Sequence, residues 1–382
     1  MTPARPSRAS AAPPVRGPKA FERADRDAVL AQSAILLQMG RQLRGDDAAL
    51  EARARAVPGL RGGRREDDDR DLFPVPVVRA TGTRFRSAAL GAKAPEALQR
   101  GADIFRKDLA RHARRLYRAP TPEAAAMLFE ASLSHPELLA RVSAAWAYLP
   151  LAADPARLLD ILEEGAESAE PLTRDVAATA LARVAPGHPA LARLTGGPAE
   201  GGSPLPSRTS TIVHGTWASG SDWWKPEVPG DFFSYMKASV DPTLYAGADR
   251  FGWSGGYSDA ARALAAADLK AWVEAHGWNA PDLFTHSHGG SVAMLASQNG
   301  MAVGRLVLLS CPVHVPKYLP DFSRVGRIVS IRVHFDLVIL ADGGGQRFRD
   351  TRITEHVLPV WFDHSASHDP AVWEKHGVAG ML

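Results

Sequence analysis

A single cysteine, Cys311, stands in 382 residues, so neither an internal disulfide framework nor a cysteine-built zinc site is open to this chain. It ends an apolar run and reads as a small core residue. Long apolar segments are also missing: no stretch offers the 18 or more consecutive apolar residues of a membrane-spanning helix. The amino terminus, with Pro3, Pro6, Pro13 and Pro14, lacks the apolar run of a secretory signal. A cytoplasmic protein without a transmembrane segment is the expectation. Nor does one sign of charge dominate, since the formal net charge is +3. That balance hides an asymmetry: residues 1–120 carry 25 Lys and Arg against 14 Asp and Glu, and the remainder 20 against 28. The basic residues are interleaved with acids such as Glu66, Asp67, Asp68 and Asp69, which reads as a solvated arm, and no nucleic-acid partner is expected.

What the chain does have is 45% hydrophobic residues, enough for a sizeable core and more than one domain. Residues 1–20, rich in Pro, Ala, Ser and Arg without period, read as a disordered tail. Helical spacing predicts a helix over Ala28–Leu43, and residues 21–194 read as mostly helical. Leu72–Ser87 is strand-like within that part. Two segments repeat at a spacing of 33 residues, Leu138–Leu149 and Pro171–Ala182, matching Leu139 to Leu172, Arg141 to Arg174, and Ala144, Ala145 and Ala147 to Ala177, Ala178 and Ala180. Alanines so placed let helices approach closely, and the pattern resembles HEAT-type repeats, which bind protein partners. An irregular alanine-rich helical domain fits the same residues. Residues 195–208, rich in Gly and Pro, read as a linker.

Beyond the linker the pattern changes. Strands are predicted at Thr209–Val213, Arg250–Trp253, Leu283–Thr285, Arg305–Leu309, Arg327–Val333 and Val357–Trp361, and helices at Asp259–His276, Gly289–Gln298 and Pro370–Lys375. Alternation of this kind argues for an α/β fold with a mostly parallel sheet and helices on both faces, whose chemistry sits in loops at the carboxyl ends of the strands.

Ser287 occupies such a place, between a strand and a helix in Thr285-His286-Ser287-His288-Gly289. A serine nucleophile needs this sharp turn with small flanking residues; Gly289 meets the requirement and Thr285 departs from it. His214-Gly215-Thr216-Trp217, after an earlier strand, is where backbone N–H groups could meet an oxyanion, from Thr216 or Trp217 and from His288. Asp336 lies just past a strand end and is the favoured acid, with Asp342 the alternative. His364, directly after the last strand, is the favoured base, with His368 the alternative. His286 reads as packing beneath the turn. Trp217 and Trp223 are candidate substrate contacts. Asp363, His364, His368 and Asp369 fall short of a metal site, and no metal is assigned.

The order Ser287, Asp336, His364 resembles that of the α/β-hydrolase superfamily, in its esterase and lipase branch, over residues 209–382. The stretch Asp249–Val273 adds to the resemblance. It implies a serine hydrolase that cleaves a carboxylic ester, small or lipid, without a cofactor; an amidase or peptidase with the same triad, or an inactive scaffold recruiting a partner through helical repeats, are alternatives. The full fold has eight strands, so two are unaccounted for, and Leu72–Ser87 is a candidate source. With no room for a large cap after Gly255 or Cys311, an open site is expected.

Overall fold

The computed structural model describes residues 18–46, 109–196, 209–226 and 231–382. The tail before residue 18, the strand-like Leu72–Ser87 and nearly all of the linker lie outside the described residues. Helix α1 (Pro18–Arg44) begins inside the segment expected to be unstructured. After a helical stretch over 109–118 come α2 (Pro122–Ser132), α3 (Leu138–Tyr148), α4 (Ala156–Ala166), α5 (Pro171–Val184) and the short α6 (Pro189–Ala192). Their starts follow from local chemistry. Thr121 accepts the Ala124 N–H at 3.2 Å ahead of Pro122, and Glu170 accepts the Thr173 N–H at 2.6 Å ahead of Pro171; proline at the first helical position loses no hydrogen bond. The two repeat copies are α3 and α5, and their matched alanines are all fully buried.

The second part contains five strands, β1 (Ser210–Val213), β2 (Asp282–His286), β3 (Val303–Leu309), β4 (Val325–His334) and β5 (Ile353–Trp361), in one sheet of that order. Every pairing is parallel. Residues 250–253 form no strand. The free side of β1 instead makes an isolated parallel bridge from Ser210 to Leu244. The predicted strand fails because Trp253 is spent on the turn after β1, as described below.

Apolar side chains alternate between the sheet faces, the period-two pattern of a sheet buried on both sides. Leu283, Leu306, Leu308 and Ile328 pack with α8 (Asp259–Ala275) and α9 (His288–Gln298). Phe284, Val307, Leu309, Val329 and Ile331 pack on the other face with Phe232 and Phe233 of α7 (Asp231–Tyr235) and Trp373 of α11 (Pro370–His376).

A third core joins the two parts. The buried residues of α1 to α6 are continuous with Trp217, Phe335, Phe362 and Leu337, Val338, Leu340 and Ala341 of α10 (Leu337–Asp342). Arg183 on α5 donates to the Ala341 carbonyl at 3.0 Å, and Arg41 on α1 donates to the Gly344 carbonyl at 2.7 Å. The helical layer therefore sits over the carboxyl edge of the sheet. No described helix is long and apolar enough to cross a membrane.

The tightest crossing is where α9 leaves β2. A Cβ on Gly289 would lie 2.3 Å from the Val213 carbonyl oxygen and 2.6 Å from that of His214, both backbone atoms with nowhere to go. Gly289→Ala is expected to lower stability in urea unfolding by about 1–3 kcal/mol, the range for an overpacked site. Gly380→Ala, whose new Cβ would meet nothing within 4 Å, is the control expected to leave stability nearly unchanged.

Candidate functional site at the carboxyl edge of the sheet

Ser287 follows the last residue of β2 with φ 51° and ψ −131°, a backbone conformation that L-residues adopt at a cost of about 1–3 kcal/mol and that is held by its surroundings. Its N–H completes the β-ladder by donating to the Leu309 carbonyl at 2.8 Å, after which the chain turns into α9. Thr285, in the position expected to be glycine, is fully buried and turned towards β3, where its hydroxyl donates to the Val307 carbonyl at 2.8 Å. The size of the threonine is thus absorbed away from the crossing.

Asp336 caps α10. Its Oδ1 accepts the N–H groups of Val338 and Ile339 at 3.0 and 3.1 Å, and Oδ2 accepts from His364 Nδ1 at 2.7 Å. The Gln346 side chain brackets the Asp336 backbone, accepting its N–H at 3.0 Å and donating to its carbonyl at 3.2 Å. His364 opens a short 3₁₀ turn (His364–His368) capped by Asp363, whose carboxylate accepts the Ser365 N–H at 3.0 Å. His364 and Ser287 line one pocket, a cavity of about 210 Å³. Burial opposes charge on His364, but the Asp336 charge and hydrogen bond, with Asp175 and Asp363 further off, outweigh it and raise the imidazole above its ordinary 6.5.

The alternatives, Asp342 and His368, line the same pocket but have other partners. Asp342 accepts from His288 Nε2 at 3.0 Å, His314 Nε2 at 2.5 Å and the Tyr257 hydroxyl at 2.6 Å. These donors hold its carboxylate well below the usual range against the cost of burial. His368 packs against Trp223, with ring centroids 4.2 Å apart, and against His286 at 4.3 Å. Burial, with the charge of His364 nearby, pushes His368 down to about 3. His286 lies beneath the turn, 4.6 Å from the His364 ring, and is held well below its ordinary value by burial and by the neighbouring imidazoles.

The turn after β1 reaches the same pocket. His214 anchors it: the Trp253 indole N–H donates to the His214 carbonyl at 2.8 Å, and the Trp253 backbone N–H donates to His214 Nε2 at 3.3 Å. A Cβ on Gly215 would fall 2.8 Å from Ser287 Cβ, so this turn packs directly on the Ser287 side chain. One expectation is corrected here. The Trp217 N–H donates to the Gly255 carbonyl at 3.0 Å and is therefore not an oxyanion donor. The N–H groups of Thr216 and His288 make no hydrogen bond to any described residue. The Trp217 side chain remains in the pocket wall, stacked on Tyr257 at 6.2 Å, and Trp223 lines the pocket too. In the lining of this pocket, three buried polar atoms lack a partner among the described residues, the Thr216 hydroxyl, the Trp217 indole N–H and His368 Nδ1. Buried polar groups are normally paired, so these are ready for a ligand or for water.

The remaining wall comes from the helical layer. Pro171, Arg174, Asp175 and Thr179 of α5 line the pocket, which corrects the expectation of an open site. Arg174 Nε donates to Asp175 at 3.3 Å, and burial raises the Asp175 carboxyl above its ordinary value, against the pull of Arg174 and His364. Nothing local in the α5 sequence marks these residues; they reach the site through tertiary packing. His314 was equally missed, although its position soon after the end of β3 is where an α/β sheet concentrates its chemistry.

No protein-family model matches this chain, and no curated protein matches it.

Since the folded imidazole of His364 binds its proton more tightly than the unfolded one, the pair adds stability that is full below about pH 6.5 and is lost as the pH rises through the folded value. Asp336→Asn is expected to bring the His364 titration, followed by its ring-proton NMR shift, down below that of the wild type. An unmoved titration would show that Asp336 does not set it.

Proposed function

We propose that this protein is a serine hydrolase that cleaves a carboxylic ester, built on an α/β-hydrolase-type sheet whose pocket is closed on one side by the helical layer. The observation that carries the reading is the meeting, in one pocket, of a strained serine after a parallel strand and an imidazole held by a buried carboxylate at 2.7 Å. Backbone strain of this kind is maintained where it aims a side chain.

In this reading Ser287 Oγ attacks the ester carbonyl while His364 Nε2 takes its proton, and Asp336 holds the imidazole through Nδ1 and stabilises its charged form. The N–H groups of Thr216 and His288 receive the oxyanion; each such donor is worth about 3–4 kcal/mol in hydrolases where one has been removed. Collapse expels the alcohol, which takes the proton from His364, and leaves an acyl-serine. Water, deprotonated by His364, then attacks the acyl carbon; the bond to Ser287 Oγ breaks, His364 returns the proton to Oγ, and the acid is released. Trp217, Trp223 and α5 surround the substrate. The residues at hand supply every proton transfer.

Covalent labelling by a fluorophosphonate probe is expected for the wild type and lost in Ser287→Ala, and His364→Ala is expected to lower kcat/KM on a nitrophenyl ester by about 10³-fold or more. Folded wild-type protein that stays unlabelled would sink the reading. The base must be neutral to work, so the acid limb of kcat/KM is expected above pH 6.5, following the raised His364 value; a limb well below it would point to another base.

A further inference from the structure

The Asp342 cluster lies in the same wall, yet the serine reaction does not use its side chains. One ligand atom each from His288, His314 and Asp342 lies within 4.8 Å of the others. These three residues come from the start of α9, the loop after β3 and the end of α10, so their convergence is a product of the fold. We propose that His288, His314 and Asp342 form a binding site for one divalent transition-metal ion of the zinc type, in the pocket wall beside Ser287.

Two imidazoles and one carboxylate are the donor set of open zinc sites; magnesium and calcium prefer oxygen throughout. In the structure His288 and His314 each hydrogen-bond to Asp342, at 3.0 Å and 2.5 Å, separations that widen by about 0.3 and about 0.8 Å around a tetrahedral ion about 2.0–2.1 Å from each donor. Gly344 lies close against two of the donors: a Cβ there would sit 2.8 Å from Asp342 Oδ2 and 3.1 Å from His314 Nε2. Any larger residue there would press on both donor atoms.

The surroundings suit ligation as well. His288 Nδ1 lies 3.0 Å from Ser291 Oγ, so with Nε2 on the metal the opposite ring N–H keeps an acceptor, the outer-shell contact that metal-bound histidines require. Tyr257 donates to Asp342 at 2.6 Å and fixes the carboxylate. Two guanidinium groups stand nearby and both feel the Asp342 charge: Arg183, which pairs with Asp46 at 2.9 and 3.0 Å, and Arg262, which donates at 3.3 Å to an Asp259 carboxylate shared with Lys317. Metal binding takes the neutral Nε2 lone pair of each histidine, and the proton each nitrogen now shares with Asp342 moves to Nδ1 or leaves to solvent. His288 and Asp342 both line the pocket, so the remaining coordination position opens towards it.

The test uses the untagged full chain, stripped with a chelator and titrated with Zn²⁺ against a chromophoric chelator, and with Co²⁺ followed by its visible absorption. One equivalent per chain is expected, with four- or five-coordinate Co²⁺ bands. His314→Gln keeps a hydrogen-bonding group on this half-buried residue, so it preserves the fold, checked by circular dichroism. It is expected to weaken Zn²⁺ binding more than about 100-fold, beyond the 10–100-fold that follows loss of an outer-shell partner. Absence of stoichiometric binding by the folded chain, or equal affinity in His314→Gln, would overturn the site. Ser287→Ala is expected to bind Zn²⁺ as the wild type does, so this proposal and the serine-hydrolase reading stand or fall by separate measurements.

Discussion

Four strands leave the sheet by the same manoeuvre, and the site depends on it. The residue directly after each of β2, β3, β4 and β5, namely Ser287, Ser310, Phe335 and Phe362, has a positive φ between 45° and 71°. At three of these positions the N–H still completes the parallel ladder: Ser287 to Leu309, Ser310 to Ile331 and Phe362 to His334, at 2.8 to 2.9 Å. These three strands are thus hydrogen-bonded to their last residue before the chain turns away; β2 and β3 end opposite Ile331, whereas β4 and β5 run further, to the pair His334 and Trp361. Such turns cost about 1–3 kcal/mol apiece. Part of the compensation is visible, because Phe335 and Phe362 bury their rings in the core that binds the helical layer to the sheet. Asp336 and His364 meet, at 2.7 Å, because they follow the ends of the paired strands β4 and β5, and Ser287, after the end of β2, lines the same pocket.

Within that edge, burial and one carboxylate divide the work among the imidazoles. Desolvation drives His214 to about 4 and both His288 and His368 to about 3, so they are neutral packing or hydrogen-bonding groups at physiological pH. His364 is as deeply buried, yet Asp336 reverses the direction of its shift. Sequence order, which offered several histidines, could not make that distinction, because the carboxylate that decides it arrives from another strand.

How far the fold and site were legible follows from which signals are local. The strand–helix alternation could be read because parallel strands buried on both faces appear as apolar runs, and four of the six predicted runs coincide with β2 to β5 within a few residues. Thr209–Val213 matches β1 equally closely. Arg250–Trp253 misled because its apolar residues serve the turn after β1: Trp253 stacks on His214 with ring centroids 5.7 Å apart. Ser287, Asp336 and His364 were legible as residues just past strand ends. The loss of Trp217 as a donor was not, since its N–H is consumed by Gly255, 38 residues along the chain. Nor could the wall made by α5, or the convergence of His314 with His288 and Asp342, be read from spacing, because long-range packing alone creates them.

The position of α5 separates two kinds of heritable change. Residues that would perform bond cleavage lie on the sheet edge and its turns, where strain and tight crossings leave little freedom. Arg174, Asp175 and Thr179 project into the same cavity from a helix with its own local start, held by Pro171 and Glu170. Drift on that helix face can reshape what the cavity admits while the reacting groups stay where they are. In the serine-hydrolase reading, the fold would let selectivity change on one element while reactivity stays fixed on another.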